Sequence, residues 1–154
     1  MRRRLQPVFV LLVAAALVAG CGGADKTKDF EKGFKGVNDQ LLALGTEVGQ
    51  GLTSAKGTPD ATLASEFTGF AARLRAIETR LAKLDPPDKL KKQTDTLSAA
   101  IDRLVKDLQD IGTAAKEHTP AAARAAAQAL VRDSVPLRAA RRAIARETGA
   151  KLGS

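Results

Sequence analysis

Tryptophan and tyrosine are absent from the 154-residue sequence, and histidine, cysteine and methionine occur once each. Aromatic residues make up only 3% of the chain. Most of the side chains from which catalytic and metal sites are built are therefore missing or solitary. A metal site wants clustered ligands at characteristic spacing. The sole His118 instead stands beside Glu117 in a loop-like segment, where a solvated side chain is expected. No segment reads as a strand, so no glycine-rich phosphate loop follows one. Scarce aromatics and an export signal, described below, tell against nucleic-acid binding, which relies on stacking platforms. No catalytic residue, cofactor or metal is expected, and the chain reads as a non-enzyme.

The apolar share is 44%, enough for a core, and it comes mainly from Ala and Leu. These favour helices over sheets built from β-branched and aromatic residues. The length fits one domain, and the expectation is an all-α fold.

The first twenty residues read as a cleaved signal peptide (1–20). Arg2, Arg3 and Arg4 form a positive start, and the uncharged apolar run from Val8 to Ala19 has the length of a signal h-region. It is too short for a spanning helix, which needs roughly 20 apolar residues. The run ends in Val18-Ala19-Gly20-Cys21. This tetrad resembles the lipobox of bacterial lipoproteins: a branched residue, two small residues at the scissile bond, and a Cys whose thiol is acylated as it becomes the new N-terminus. The resemblance implies that Val18, Ala19 and Gly20 are read by the signal peptidase and that Cys21 carries the lipid. Several acyl chains on one residue give stable membrane attachment, whereas one gives marginal binding. Arg3-Arg4 faintly suggests a twin-arginine signal, but Gln6-Pro7 follow where that motif carries hydrophobic and basic residues, which favours Sec export.

Residues 21–28 are expected to form the lipidated Cys and a polar, flexible tether, and residues 29–154 a helical bundle. Phe30, Phe34, Val37, Leu41, Leu44 and Val48 recur at alternating spacings of four and three, one stripe of a helix. Gly33, Gly36, Gly45 and Gly49 lie off the stripe, each costing ~1 kcal/mol of helix propensity. At Gly57-Thr58-Pro59-Asp60, Gly57 is expected to close one helix in the left-handed conformation, Thr58 to cap the next and Pro59 to open it.

The second stripe is Leu63, Phe67, Phe70, Leu74, Ile77, Leu81 and Leu84, about 31 Å long at the helical rise. Asp85-Pro86-Pro87-Asp88 must interrupt it. A third stripe follows, Leu90, Thr94, Leu97, Ile101, Leu104, Leu108 and Ile111, with Gly112 to His118 ending it. Asp102, Asp107 and Asp110 read as part of an exposed mixed-charge face with Arg103 and Lys106. Thr119-Pro120 opens the fourth segment as cap and first turn. There Leu130, Leu137, Ala140 and Ile144 mark the apolar side, and Pro136 predicts a kink or a split. Short connections predict an antiparallel up-down-up-down four-helix bundle. A long hairpin that dimerises as a coiled coil would carry similar stripes, although Ala64, Ala71, Ala100 and Val105 broaden them.

The junction Arg80-Leu81-Ala82-Lys83-Leu84-Asp85-Pro86-Pro87, together with the lipobox, resembles small helical extracytoplasmic lipoproteins of high-GC Gram-positive bacteria, many with no assigned activity. That resemblance implies anchoring on the outer face of the cell membrane; in a Gram-negative host, outer-membrane sorting would be implied instead.

The formal charge of +8 includes the three signal-peptide arginines, leaving +5, and that whole excess falls in residues 119–154. Arg138, Arg142 and Arg146 repeat every four residues with Arg141 alongside. They form a basic ridge that either is a solvated helix face or attracts anionic headgroups and wall polymers. The expected function is a membrane-anchored, non-catalytic binding, adaptor or accessory protein whose partner is an envelope protein or cell-wall component. The alternatives are a small apolar ligand or lipid held between helices, and anionic-surface binding through the basic C-terminal helix.

Overall fold

A computed structural model describes residues 22–149. The tetrad Val18, Ala19, Gly20 and Cys21 lies outside the described residues. Four helices follow one another: α1 (Gly22–Ser54), α2 (Asp60–Leu81), α3 (Asp88–Lys116) and α4 (Pro120–Thr148), with one turn of 3₁₀ helix at Ala55–Gly57 between the first two. No strand occurs among the described residues, and no described helix is long and apolar enough to cross a membrane.

The predicted stripes are what the helices bury. Phe30, Phe34, Phe67, Leu81, Leu90, Leu97, Ile101, Leu108 and Ile144 are almost wholly removed from solvent. Phe30 stacks on Phe34 at 5.8 Å between ring centroids, and Phe67 meets Phe70 edge-on at 5.6 Å. Both geometries suit the ring quadrupole, and they leave the phenylalanines as packing residues.

Pairings between helices fix the direction of the chain. Lys26 on α1 reaches Asp85, just beyond α2, at 3.0 Å, while Glu47 near the other end of α1 pairs with Arg73 of α2. In the next pair, Gly112 lies against Ala64 and Thr68 while Ser98 donates to Glu78 at 3.2 Å. Sequence position rises in one helix as it falls in its neighbour, so the first two connections reverse the chain. The four helices form a bundle.

Several local expectations are corrected. The segment 22–28, read as a tether, is helical from Gly22 onward; Ala24, Lys26 and Lys28 are good helix formers, and the Lys26–Asp85 pair holds its far end. Gly57 does not adopt a positive φ, and Thr58 does not cap α2. Its hydroxyl turns back to the Ser54 carbonyl at 3.0 Å, and α2 starts at Asp60 without a side-chain cap. Thr119 likewise donates to the Ala114 carbonyl at 3.1 Å rather than capping α4, whose first residue is Pro120.

The third helix ends at Lys116, within the segment expected to close it, and Gly112 is not its last residue. Gly112 lies inside α3, where a Cβ would sit 2.9 Å from Thr68 Oγ1 and 3.2 Å from the Ala64 carbonyl. The absent side chain lets α2 and α3 approach closely. Pro136 does not split α4, which runs unbroken from Pro120 to Thr148. Proline removes only the bond to the Arg132 carbonyl, and Arg132 is an exposed residue.

Candidate functional site

α3 packs along both α2 and α4, and α1 lies along α2. α1 and α4 complete the ring only loosely, and between residues 41–52 of α1 and 130–138 of α4 they stand apart over a cleft of about 300 Å³. On α1 the wall is Leu41, Leu44, Val48 and Leu52; Leu74, Leu104 and Leu108 form the floor; Leu130 and Leu137 supply the opposite wall. Gly45 and Gly49 present no side chain to this space. They line the cleft, and a Cβ added at either would meet no atom within 4 Å. The volume lies at the lower end of the range for small-molecule sites.

The rim on α4 is Val131, Ser134 and Arg138. Val131 is 60% exposed and Val135, one turn on, is 55% exposed; these are the exposed large hydrophobics among the described residues. Their position beside the cleft extends its apolar surface outward.

One turn beyond Leu41 and Leu137 the two helices are tied together. Arg141 is only 8% exposed, and its Nε donates to Asn38 Oδ1 at 2.8 Å. The reading of Arg141 as a member of a solvated ridge is corrected here. Its position, four residues after Leu137 and three before Ile144, puts it on the buried stripe, and the seam takes it in. Burial, and then the nearby Arg142, make its guanidinium less basic than usual. Arg138, Arg142 and Arg146 do face solvent. None of the four arginines is paired with a carboxylate among the described residues.

The acidic trio is also divided. Asp102 and Asp110 are exposed, but Asp107 is buried with its Oδ2 lacking a hydrogen bond. Burial first, then Asp133 and Asp110, push its carboxyl above the ordinary carboxylate range, against the opposing pull of Lys106 and Arg132. No group of three or more His, Cys, Asp or Glu side chains among the described residues could hold a metal.

At the far end of the bundle lies a second, larger and more enclosed hollow of about 690 Å³, floored by Leu63, Phe67 and Ile111, with Asp60 and His118 on its edge. His118 Nδ1 meets Asp60 Oδ2 at 2.5 Å, a pairing that neither residue's sequence context announces. Both side chains are substantially exposed. The nearest hydroxyl in sequence, Thr119, gives its proton to a backbone carbonyl.

The cleft escaped the sequence reading because it is a gap between helices, but its marks were present. Glycines interrupt one face of α1, and the polar residues Asn38 and Arg141 stand at stripe positions among Phe34, Leu41, Leu137 and Ile144. No family model, curated protein or solved structure matches this chain.

Proposed function

We propose that this protein is a lipid-anchored extracytoplasmic lipoprotein whose helical bundle works by binding an apolar small molecule between α1 and α4. The anchor rests on the resemblance of Val18 to Cys21 to a lipobox. The binding role rests on one observation, the leucine-lined cleft that Gly45 and Gly49 border. Opening a bundle there gives up helix-to-helix packing, and an apolar ligand would recover it by removing the same leucine surface from water. No chemistry is required of the side chains in this reading.

The test is native mass spectrometry of the full chain taken from membranes in mild detergent. A discrete apolar adduct is expected, and it should disappear when Gly45→Leu and Gly49→Leu are combined to fill the cleft. An adduct that persists in the filled variant, or a chain that carries none and takes up no added lipid, rejects the reading. In the same cells, Cys21→Ala should release the protein from the membrane fraction.

A second reading, an adaptor for an envelope protein, is favoured by the exposed Val131 and Val135. A photo-crosslinker placed at Val135 in living cells should then capture one reproducible protein, lost when Val131→Ser is added. Capture of lipid alone would remove it.

A further inference from the structure

The α1–α4 seam changes character along its length. From Leu52 and Leu130 to Leu41 and Leu137 it is apolar; at Arg138 it becomes basic, and it closes at Asn38 and Arg141. Arg141 is the more informative of the two cations. Its Nε has a partner, but its terminal nitrogens make no hydrogen bond among the described residues, although the residue is more than nine-tenths buried. Solvent still reaches those terminal nitrogens, and no carboxylate among the described residues pairs with them. Asp39, next to Asn38, is engaged by Lys35 at 2.6 Å. Arg138, one turn before it, and Arg142, the next residue, add positive charge and bring no carboxylate with them.

We propose that the ligand of the cleft is a single-chain amphiphile with an anionic head, its acyl chain lying along the leucines and its head held by Arg138 at the rim, one turn from Arg141. This rests on the cleft-binding reading above and names the chemistry of what is bound. The guanidinium fork suits a carboxylate or phosphate, to which it donates two parallel bonds. An anion at this point supplies the counter-charge that the protein omits, and the tail takes up the apolar surface that α1 and α4 leave uncovered. A neutral chain would satisfy only the second of these needs. The ligand is a monomeric lipid withdrawn from a bilayer rather than the bilayer surface, because the leucines line a cleft between α1 and α4 and not the outer face of α4. The rest of the basic ridge, Arg142 and Arg146, has no aromatic side chain near it in sequence to anchor at an interface.

The experiment uses the full chain in mild detergent with two photoactivatable probes of equal chain length, a fatty acid and the corresponding fatty alcohol, each below saturation. The acid is expected to label the segments 41–52 and 130–138, with a yield roughly tenfold above the alcohol's, the difference that one charge-assisted hydrogen bond makes. Arg138→Gln alters an exposed side chain, and an unchanged circular dichroism melt will show that the fold is kept. It should bring labelling by the acid down toward that of the alcohol. Equal labelling of the cleft by both probes, unaltered by Arg138→Gln, overturns the anionic head and leaves the apolar cleft standing. No labelling of the cleft by either probe removes the cleft reading and this inference with it. Labelling by the acid confined to the outer face of α4, with binding to anionic phosphatidylglycerol vesicles undiminished in the Gly45→Leu, Gly49→Leu variant, overturns it in favour of a bilayer surface.

Discussion

Arg141 donates its Nε proton to Asn38 Oδ1 at 2.8 Å, joining α4 to α1 across 103 residues of chain. It is the one polar tie between those helices among the described side-chain bonds. The apolar cleft begins one turn away, so this bond sets how far α1 can swing from α4.

Removing one partner should therefore cost more than removing both. Asn38→Ala leaves the Arg141 Nε without its partner, and the expected loss is ~1.5–3 kcal/mol, the range for a hydrogen bond to a charged group. Asn38→Leu combined with Arg141→Met replaces the pair by apolar groups of similar reach and should lose less than Asn38→Ala alone. Urea denaturation of the single and double variants measures the difference. A double variant weaker than the single one would mean that the pair contributes net stability.

Asp107 makes a prediction about pH. Its carboxyl is held above the usual carboxylate range, chiefly by burial, so the folded state binds this proton more tightly than the unfolded state does. The stability tied to it is fully present below the unfolded value, near pH 4, and is lost as pH rises through the elevated folded value. Asp107→Asn keeps the shape and drops the charge. At pH 7 it should be more stable than the parent by ~1 kcal/mol, raising Tm by a few degrees. The advantage should shrink toward zero at acid pH, where Asp107 is itself protonated. Melts across a pH series follow both; an advantage constant with pH would assign the gain to something other than ionisation.

The stripes made the fold legible because a period near 3.6 residues is dictated by the helix itself; most stripe residues are buried, while Val48, Leu63 and Leu84 are half-buried and Leu84 lies past the end of α2. The caps were less legible. Thr58 and Thr119 stand where a cap is expected, yet each hydroxyl finds a carbonyl of the preceding helix, a choice set by local turn geometry. Asp107 and Arg141 were assigned to exposed faces because charge was weighed above position. Both lie within a stripe's arc, and tertiary packing encloses them. The cleft depends on the spacing of α1 from α4, which no single helix encodes.

Two glycines of equal helix propensity should respond oppositely to the same substitution. Gly36 is exposed on α1, and a Cβ there meets nothing within 4 Å, so Gly36→Ala should stabilise by ~0.5–1 kcal/mol. At Gly112 the Cβ would press on Thr68 Oγ1 and on the Ala64 backbone carbonyl, which has little room to retreat. Overpacking costs ~1–3 kcal/mol and outweighs the propensity gain, so Gly112→Ala should be destabilising overall. Thermal melts of both decide it, and a stabilised Gly112→Ala would show that α2 and α3 are free to separate.

His118 has φ of 53°, the left-handed region, at the point where α3 ends. Its own N–H bonds to the Ala115 carbonyl at 3.1 Å and that of Thr119 to the Ala114 carbonyl at 2.9 Å. These are the two bonds of a Schellman motif, with His118 where glycine is usual. The left-handed conformation costs an L residue ~1–2 kcal/mol. The exposed pair with Asp60 returns at most ~1 kcal/mol, as surface ion pairs do. His118→Gly should therefore be neutral to stabilising by up to ~1 kcal/mol, since relief of the backbone offsets loss of the pair. His118→Val should be destabilising by ~1–2 kcal/mol, because a β-branched side chain suits this conformation least. Asp60→Ala should weaken the parent slightly and leave the His118→Gly chain unchanged. If His118→Gly were instead markedly destabilised, the Asp60–His118 pair would be holding the α3–α4 turn onto the start of α2 far more strongly than an exposed pair should.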